Sequence, residues 1–120
     1  EIRYSNIQVI KAYAGMDSFL LIQLAQHGCD GVIIEALGAG NLPPDSLSGV
    51  NALLEANIPV VLVSRAFHGV TQDVYDYLGG GKQLKQQGVI FTTGLSGQKA
   101  RIKLMVLLNQ QREKPLADYF

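Results

Sequence analysis

Tryptophan is absent from this 120-residue chain, proline occurs only four times and cysteine once, as Cys29. A single cysteine excludes an internal disulfide framework. Charge is also scarce: charged residues make up 17%, with 10 Lys plus Arg against 10 Asp plus Glu. The zero net charge argues against a nucleic-acid-binding domain, which carries a basic excess. The longest apolar runs extend only five or six residues, too short to span a bilayer. Glu1-Ile2-Arg3-Tyr4 is not a signal peptide, and any targeting segment is expected upstream of it. What the chain does have is apolar content, 48% of residues, which excludes disorder. The length suits one domain, 1–120. So few charges hint that another domain or a partner subunit covers part of the surface.

Four short runs rich in Val and Ile stand out: Ile7–Ala12, Gly31–Ala36, Pro59–Val63 and Val89–Thr92. They do not alternate apolar with polar, the mark of strands buried on both faces. Helical patterns separate them. The first runs from Ser18 to His27, with Asp17 and Ser18 as capping residues, Leu20, Leu21, Leu24 and Ala25 as its apolar stripe, and Gly28 as its stop. The second starts at Pro44, buries Leu47, Val50, Leu53 and Leu54, and ends near Asn57. A short helix is expected around Lys82–Gln86. A long one spans about Ser96–Gln110, and Ile102, Leu104, Met105, Val106, Leu107 and Leu108 predict burial nearly all round it. Pro115 starts a terminal turn. The alternation predicts a three-layer α/β fold: a mostly parallel, four-stranded sheet with helices on both faces, Rossmann-like or flavodoxin-like. Leu24, Ile33, Ile34, Val50, Leu54, Val61, Leu62, Ile90 and Met105 are the expected core.

In such folds ligands bind beyond the carboxyl ends of the strands. Three loops lie there: Tyr13–Asp17, Leu37–Pro44 and Ser64–Gly69. Gly38-Ala39-Gly40 begins like a dinucleotide fingerprint, but the third glycine falls at Pro43 and the loop follows the second strand. A tight turn needing glycine is the simpler reading, with Asn41 placed to hydrogen-bond a ligand. Gly81-Lys82 is no phosphate loop, because Asp76 stands at the motif's first glycine and Gln83 replaces the metal-binding hydroxyl. His68 with Ser64 and Asp73 invites a triad, yet no G-x-S-x-G elbow exists. Arg65 can hold an anion with two hydrogen bonds, or serve as a structural or interface ion pair. Two histidines and one cysteine form no metal-ligand spacing, so no metal is expected. Cys29 reads as a small core residue.

Several blocks in order resemble a known family. Gly31-Val32-Ile33-Ile34-Glu35-Ala36-Leu37-Gly38-Ala39-Gly40-Asn41-Leu42-Pro43 resembles the signature of the C-terminal domain of bacterial L-asparaginases. Ile58–Arg65 followed by Gly69, then Gly79-Gly80-Gly81, Leu84, Gly88-Val89-Ile90 and Gln98–Ile102, resemble its remaining blocks, so the likeness covers about Gln8 to Phe120. It implies that 1–120 is the small, C-terminal domain of a longer enzyme. That enzyme hydrolyses the side-chain amide of asparagine to aspartate and ammonia without a cofactor. The family's two catalytic threonines lie in the larger N-terminal domain, in T-G-G-T and T-D-T contexts, and neither motif occurs here. No catalytic residue is therefore expected in this piece, which should be inactive alone.

The resemblance further implies a homo-oligomer, a dimer or tetramer, in which the small domain supplies contacts and a loop completing the neighbour's active site. Asn41 matches the family's Asn in that loop, which Gly38, Gly40 and Pro43 shape. Some secreted members place a Glu after the third strand to bind the substrate's amino group; here Val70–Tyr77 contains none, and Tyr75, or less favourably Asp73 or Asp76, is the replacement. The pattern is closer to the cytoplasmic-type enzymes, which implies a cytoplasmic location. Glu35 and Ala66 stand where allosteric members carry Arg and Cys, which counts against that regulation. Two alternatives remain open: part of an asparaginase-like component of a tRNA-dependent amidotransferase, and a Rossmann-like small-ligand or regulatory module.

Overall fold

The Val/Ile-rich runs lie side by side as four parallel strands. The computed structural model describes residues 2–38, 40–64, 81–92 and 94–120. These form β1 (Ile7–Lys11), α1 (Phe19–His27), β2 (Gly31–Ala36), α2 (Leu47–Glu55), β3 (Val60–Ser64), α3 (Gly81–Gln86), β4 (Ile90–Phe91) and α4 (Gly97–Leu108). A 3-10 turn over Pro44–Ser46 leads into α2, and another over Leu116–Tyr119 follows α4. The strands run in the order β1-β2-β3-β4, with Ile7 opposite Gly31, Val32 opposite Val60 and Val61 opposite Ile90.

This topology explains the two-sided burial of β2 and β3, whereas the edge strand β1, expected to be buried on both faces too, leaves Gln8, Val9 and Lys11 exposed. Val32, Ile34, Val60 and Leu62 face a core closed by Leu21 of α1, Val50 and Leu53 of α2 and Leu84 of α3. Ile33, Val61, Val63 and Ile90 face a second core under Ala100 and Leu104 of α4. A sheet that advances steadily in one direction with connections of one hand keeps its connecting helices on one face. Helix α4 follows the last strand and is free to cover the other.

The expected elements all form, with shifted edges and several differences in detail. Strand β3 starts at Val60 because Pro59 has no N–H for the ladder. Helix α2 begins at Leu47, after the 3-10 turn, and stops as Asn57 turns left-handed at φ +61°. Ser18 does not cap α1. Its buried hydroxyl instead donates to the Asp45 carbonyl at 2.7 Å and accepts from Gly49 N at 2.9 Å and Ser48 Oγ at 2.7 Å. Asp17 Oδ1 takes the capping role, accepting from Phe19 N at 3.0 Å. Helices α1 and α2 can pack this tightly because position 49 is glycine: a Cβ there would lie 2.6 Å from Leu21 Cβ.

The expected stripe on α1 is too wide. Leu21 is buried and Leu24 and Ala25 partly so, whereas Leu20 is 48% exposed, because only one side of the helix meets α2 and the sheet. Leu24, Leu54 and Met105 are only partly buried at the margins of the two cores. Helix α4 is not buried all round either: Ile102 and Val106 are each 54% exposed, on the face turned away from the sheet. Its inner face comes close enough to β2 that a Cβ at Gly31 would sit 2.7 Å from Leu104 Cδ2.

Helix α4 also holds the segment leading into β1. Asn109 Oδ1 accepts from Arg3 N at 2.6 Å and Tyr4 N at 3.0 Å, while its Nδ2 donates to the Tyr4 carbonyl at 2.8 Å. Arg101 Nε donates to the Ile7 carbonyl at 3.0 Å and its Nη2 to the Ser5 carbonyl at 3.4 Å. Two side chains two turns apart thus strap residues 3–7 along the helix.

Candidate functional site

The carboxyl ends of the strands present two described loops. In the first, Gly15 at φ +82° lets Met16 N turn back to the Tyr13 carbonyl at 3.0 Å, so Met16 is buried while Tyr13 projects into solvent. The second carries Asn41. The main chains of Leu37 and Asn41 bond each other in both directions at 2.9 Å, and Gly40 N adds a bond to the Leu37 carbonyl at 3.0 Å. Closing so narrow a loop needs the left-handed glycines, Gly38 at φ +47° and Gly40 at φ +118°.

Neighbouring residues brace the loop from both sides. Ser64, paired with Ala36 across β2 and β3, donates its hydroxyl to the Gly38 carbonyl. Beyond Asn41, Leu42 and Pro43 are buried. The Pro43 carbonyl accepts from Ser46 N at 3.0 Å and Ser46 Oγ at 2.7 Å. The chain passes through extended backbone at Pro43 into the 3-10 turn, so no helix N-terminus points back at the glycines as a dinucleotide site requires.

Within this rigid frame Asn41 is half-buried, and its Oδ1 is enclosed without a hydrogen-bond partner among the described residues. A buried amide oxygen left unsatisfied costs about 1–3 kcal/mol, and such groups normally find a donor. Glu35, the one charge in β2, is half-buried with its Cγ 3.0 Å from where a Cβ on Gly97 would stand. It therefore lies under the N-terminal end of α4, where the helix dipole favours a carboxylate.

Gly38, Gly40, Asn41 and Pro43 lie in one loop between β2 and the 3-10 turn. Arg65, Ala66, His68, Asp73, Tyr75 and Asp76 lie outside the described residues. Ser64, a triad candidate by sequence, is a brace for the Asn41 loop; that role depends on the β2–β3 register, which no local motif announces. Cys29 is half-buried beside the first core, and burial pushes its thiol pKa up, helped by the Asp30 charge and partly offset by a Gly31 N–H hydrogen bond. It lines a cleft of about 660 Å3 with Tyr4, Asp30, Asn57 and Arg112. That cleft opens at the opposite end of the sheet, away from the Asn41 loop.

A four-stranded parallel sheet packed on both faces, with a braced glycine-shaped loop at its rim, defines an α/β domain. The chain belongs to the Glutaminase/Asparaginase C-terminal domain family, whose pattern matches residues 6–119. A probable L-asparaginase from Deinococcus radiodurans is 40% identical over 104 residues, 87% of this chain and 31% of that protein. A component of the glutamyl-tRNA(Gln) amidotransferase of Methanococcus maripaludis is 31% identical over 110 residues, 91% of this chain and 26% of that protein. The thermostable L-asparaginase from Thermococcus kodakarensis superposes with a TM-score of 0.77 at 25% identity, over 92% of this chain and 33% of that one. The chain thus spans about a third or less of the length of the relatives it matches.

Proposed function

We propose that residues 1–120 are the C-terminal domain of an L-asparagine amidohydrolase, which converts asparagine and water to aspartate and ammonia. The domain supplies subunit contacts and the loop that completes a neighbouring active site. The enclosed Asn41 Oδ1, partnerless among the described residues, carries this reading. An acceptor held rigid at the sheet's rim has its use when another surface brings an N–H or O–H against it. The strand order supports the same view, because among the described strands it never reverses and so leaves no switch-point crevice of the kind where such sheets bind ligands alone.

In this reading the nucleophilic threonine and its assisting groups belong to the larger domain, the enzyme is a cytoplasmic homo-oligomer, and neither cofactor nor metal takes part. Tyr75 is the candidate for the substrate's amino group and Arg65 for an interface ion pair. Ammonia release from asparagine tests it: the full-length protein is expected to turn over, and purified residues 1–120 to give no more ammonia than buffer. Turnover by the isolated piece would overturn the assignment of chemistry to the other domain.

The likeness to the amidotransferase component favours one second reading, in which the ammonia passes to tRNA-bound glutamate. Ammonia release that requires a partner protein and charged tRNA would select it.

A further inference from the structure

We propose that the face formed by Ile2, Ile102, Met105 and Val106 is where the larger, preceding domain of the same polypeptide docks. This rests on reading the chain as the C-terminal domain of a longer enzyme. Residues 104–108 are five apolar residues in a row, so the second half of α4 is apolar on every side, a pattern that belongs in an interior. Helix α4 buries Ala100 and Leu104 against the sheet, yet Ile102 and Val106, one turn apart and stacked on one face, remain half in water. Ile2, 65% exposed, joins Met105 and Val106 around a shallow groove of about 320 Å3.

The strap selects the occupant. Arg101 and Asn109 hold residues 3–7 along α4, so the polypeptide enters the domain directly beside this face. The relatives place about two-thirds of their length outside the matching region, and the family is by description a C-terminal domain, so the extra length arrives along that route. A tethered domain meets a surface next to its tether at a high effective concentration, which a free second copy does not. Helix α4 carries Lys99, Arg101 and Lys103 and no carboxylate, so the complementary surface is apolar with an acidic rim.

The test uses the full-length protein, with its other cysteines replaced, carrying I102C, V106C or, as an exposed control on α3, Q86C. Maleimide is expected to label the first two about tenfold more slowly than the control at every protein concentration, as in a close-packed interface. Hydroxyl-radical footprinting of the unsubstituted protein gives the same readout without mutation: Ile2 and Ile102 protected, Leu20 oxidised. Equal labelling of all three thiols, or protection that disappears on dilution and so marks a second copy, would overturn the proposal. Ammonia release measured on the same samples keeps failure of the docking separate from failure of the enzymatic reading.

Discussion

Asn41 concentrates the functional argument in one amide. Its main chain is fixed by the Leu37 bonds and its flank by Pro43, so its side chain carries little of the packing. In the full-length enzyme, Asn41→Ala is expected to lower kcat/KM by about tenfold to a hundredfold, the loss of about 1.5–3 kcal/mol from a hydrogen bond to a charged or polarised group. The melting temperature should stay near wild type. If it falls while kcat/KM per folded enzyme is unchanged, Asn41 is a turn residue and the site assignment fails. Cys29 makes a prediction of a different kind. Its folded pKa is raised by burial, so both states keep the proton below the unfolded value, and above it the unfolded chain releases the proton first. The unfolded state is then favoured, and stability drops as pH climbs through the alkaline range. Thermal melts across that range should decline more steeply for the wild type than for Cys29→Ser; equal slopes would assign the effect to other groups.

Among the elements, packing at α1 and α2 is the most sharply defined. A Cβ on Gly49 would lie 2.6 Å from Leu21 Cβ, and the Gly49 N–H is held by Ser18. Gly49→Ala should favour the isolated helix but cost the protein about 1–3 kcal/mol through overpacking, read by chemical denaturation; a stabilised variant would mean the helices separate easily. The elements themselves were legible in the sequence, since a Val/Ile run such as Gly31–Ala36 buried on both faces has few other interpretations. Helix orientation was harder to read. The second half of α4, residues 104–108, is apolar on every side, so nothing in its pattern told the inner Leu104 from the outer Val106; only its seat over β1 and β2 decides that. Ser18 is a good cap by type, but its hydroxyl found stronger partners on α2, a tertiary outcome invisible in the local sequence. Asn41 was legible as a candidate from its glycine-rich loop and by family resemblance. The enclosure of its oxygen was not, because burial of a single side-chain atom is a tertiary outcome that no local motif announces.

At the scale of the whole molecule, the described strands offer a rim and no switch-point crevice, and in the proposed reading the Asn41 loop stands at a boundary between bodies. If that boundary lies between subunits related by a twofold axis, each active site combines the catalytic domain of one subunit with the Asn41 loop of the other. Two crippled enzymes should then repair each other. One variant carries Asn41→Ala, and the second lacks the nucleophilic threonine of the larger domain. A mixed dimer has one site with both defects and one with neither. Random reassortment of equal amounts makes half the dimers mixed, so activity should recover to about a quarter of the wild-type value. The experiment is unfolding and refolding of the mixture, followed by ammonia release, with each variant refolded alone as background. Recovery requires that the two groups act across the interface, because a site built within one subunit keeps its defect in every pairing. Activity that remains at the mean of the two variants alone would place the Asn41 loop against its own chain's catalytic domain instead.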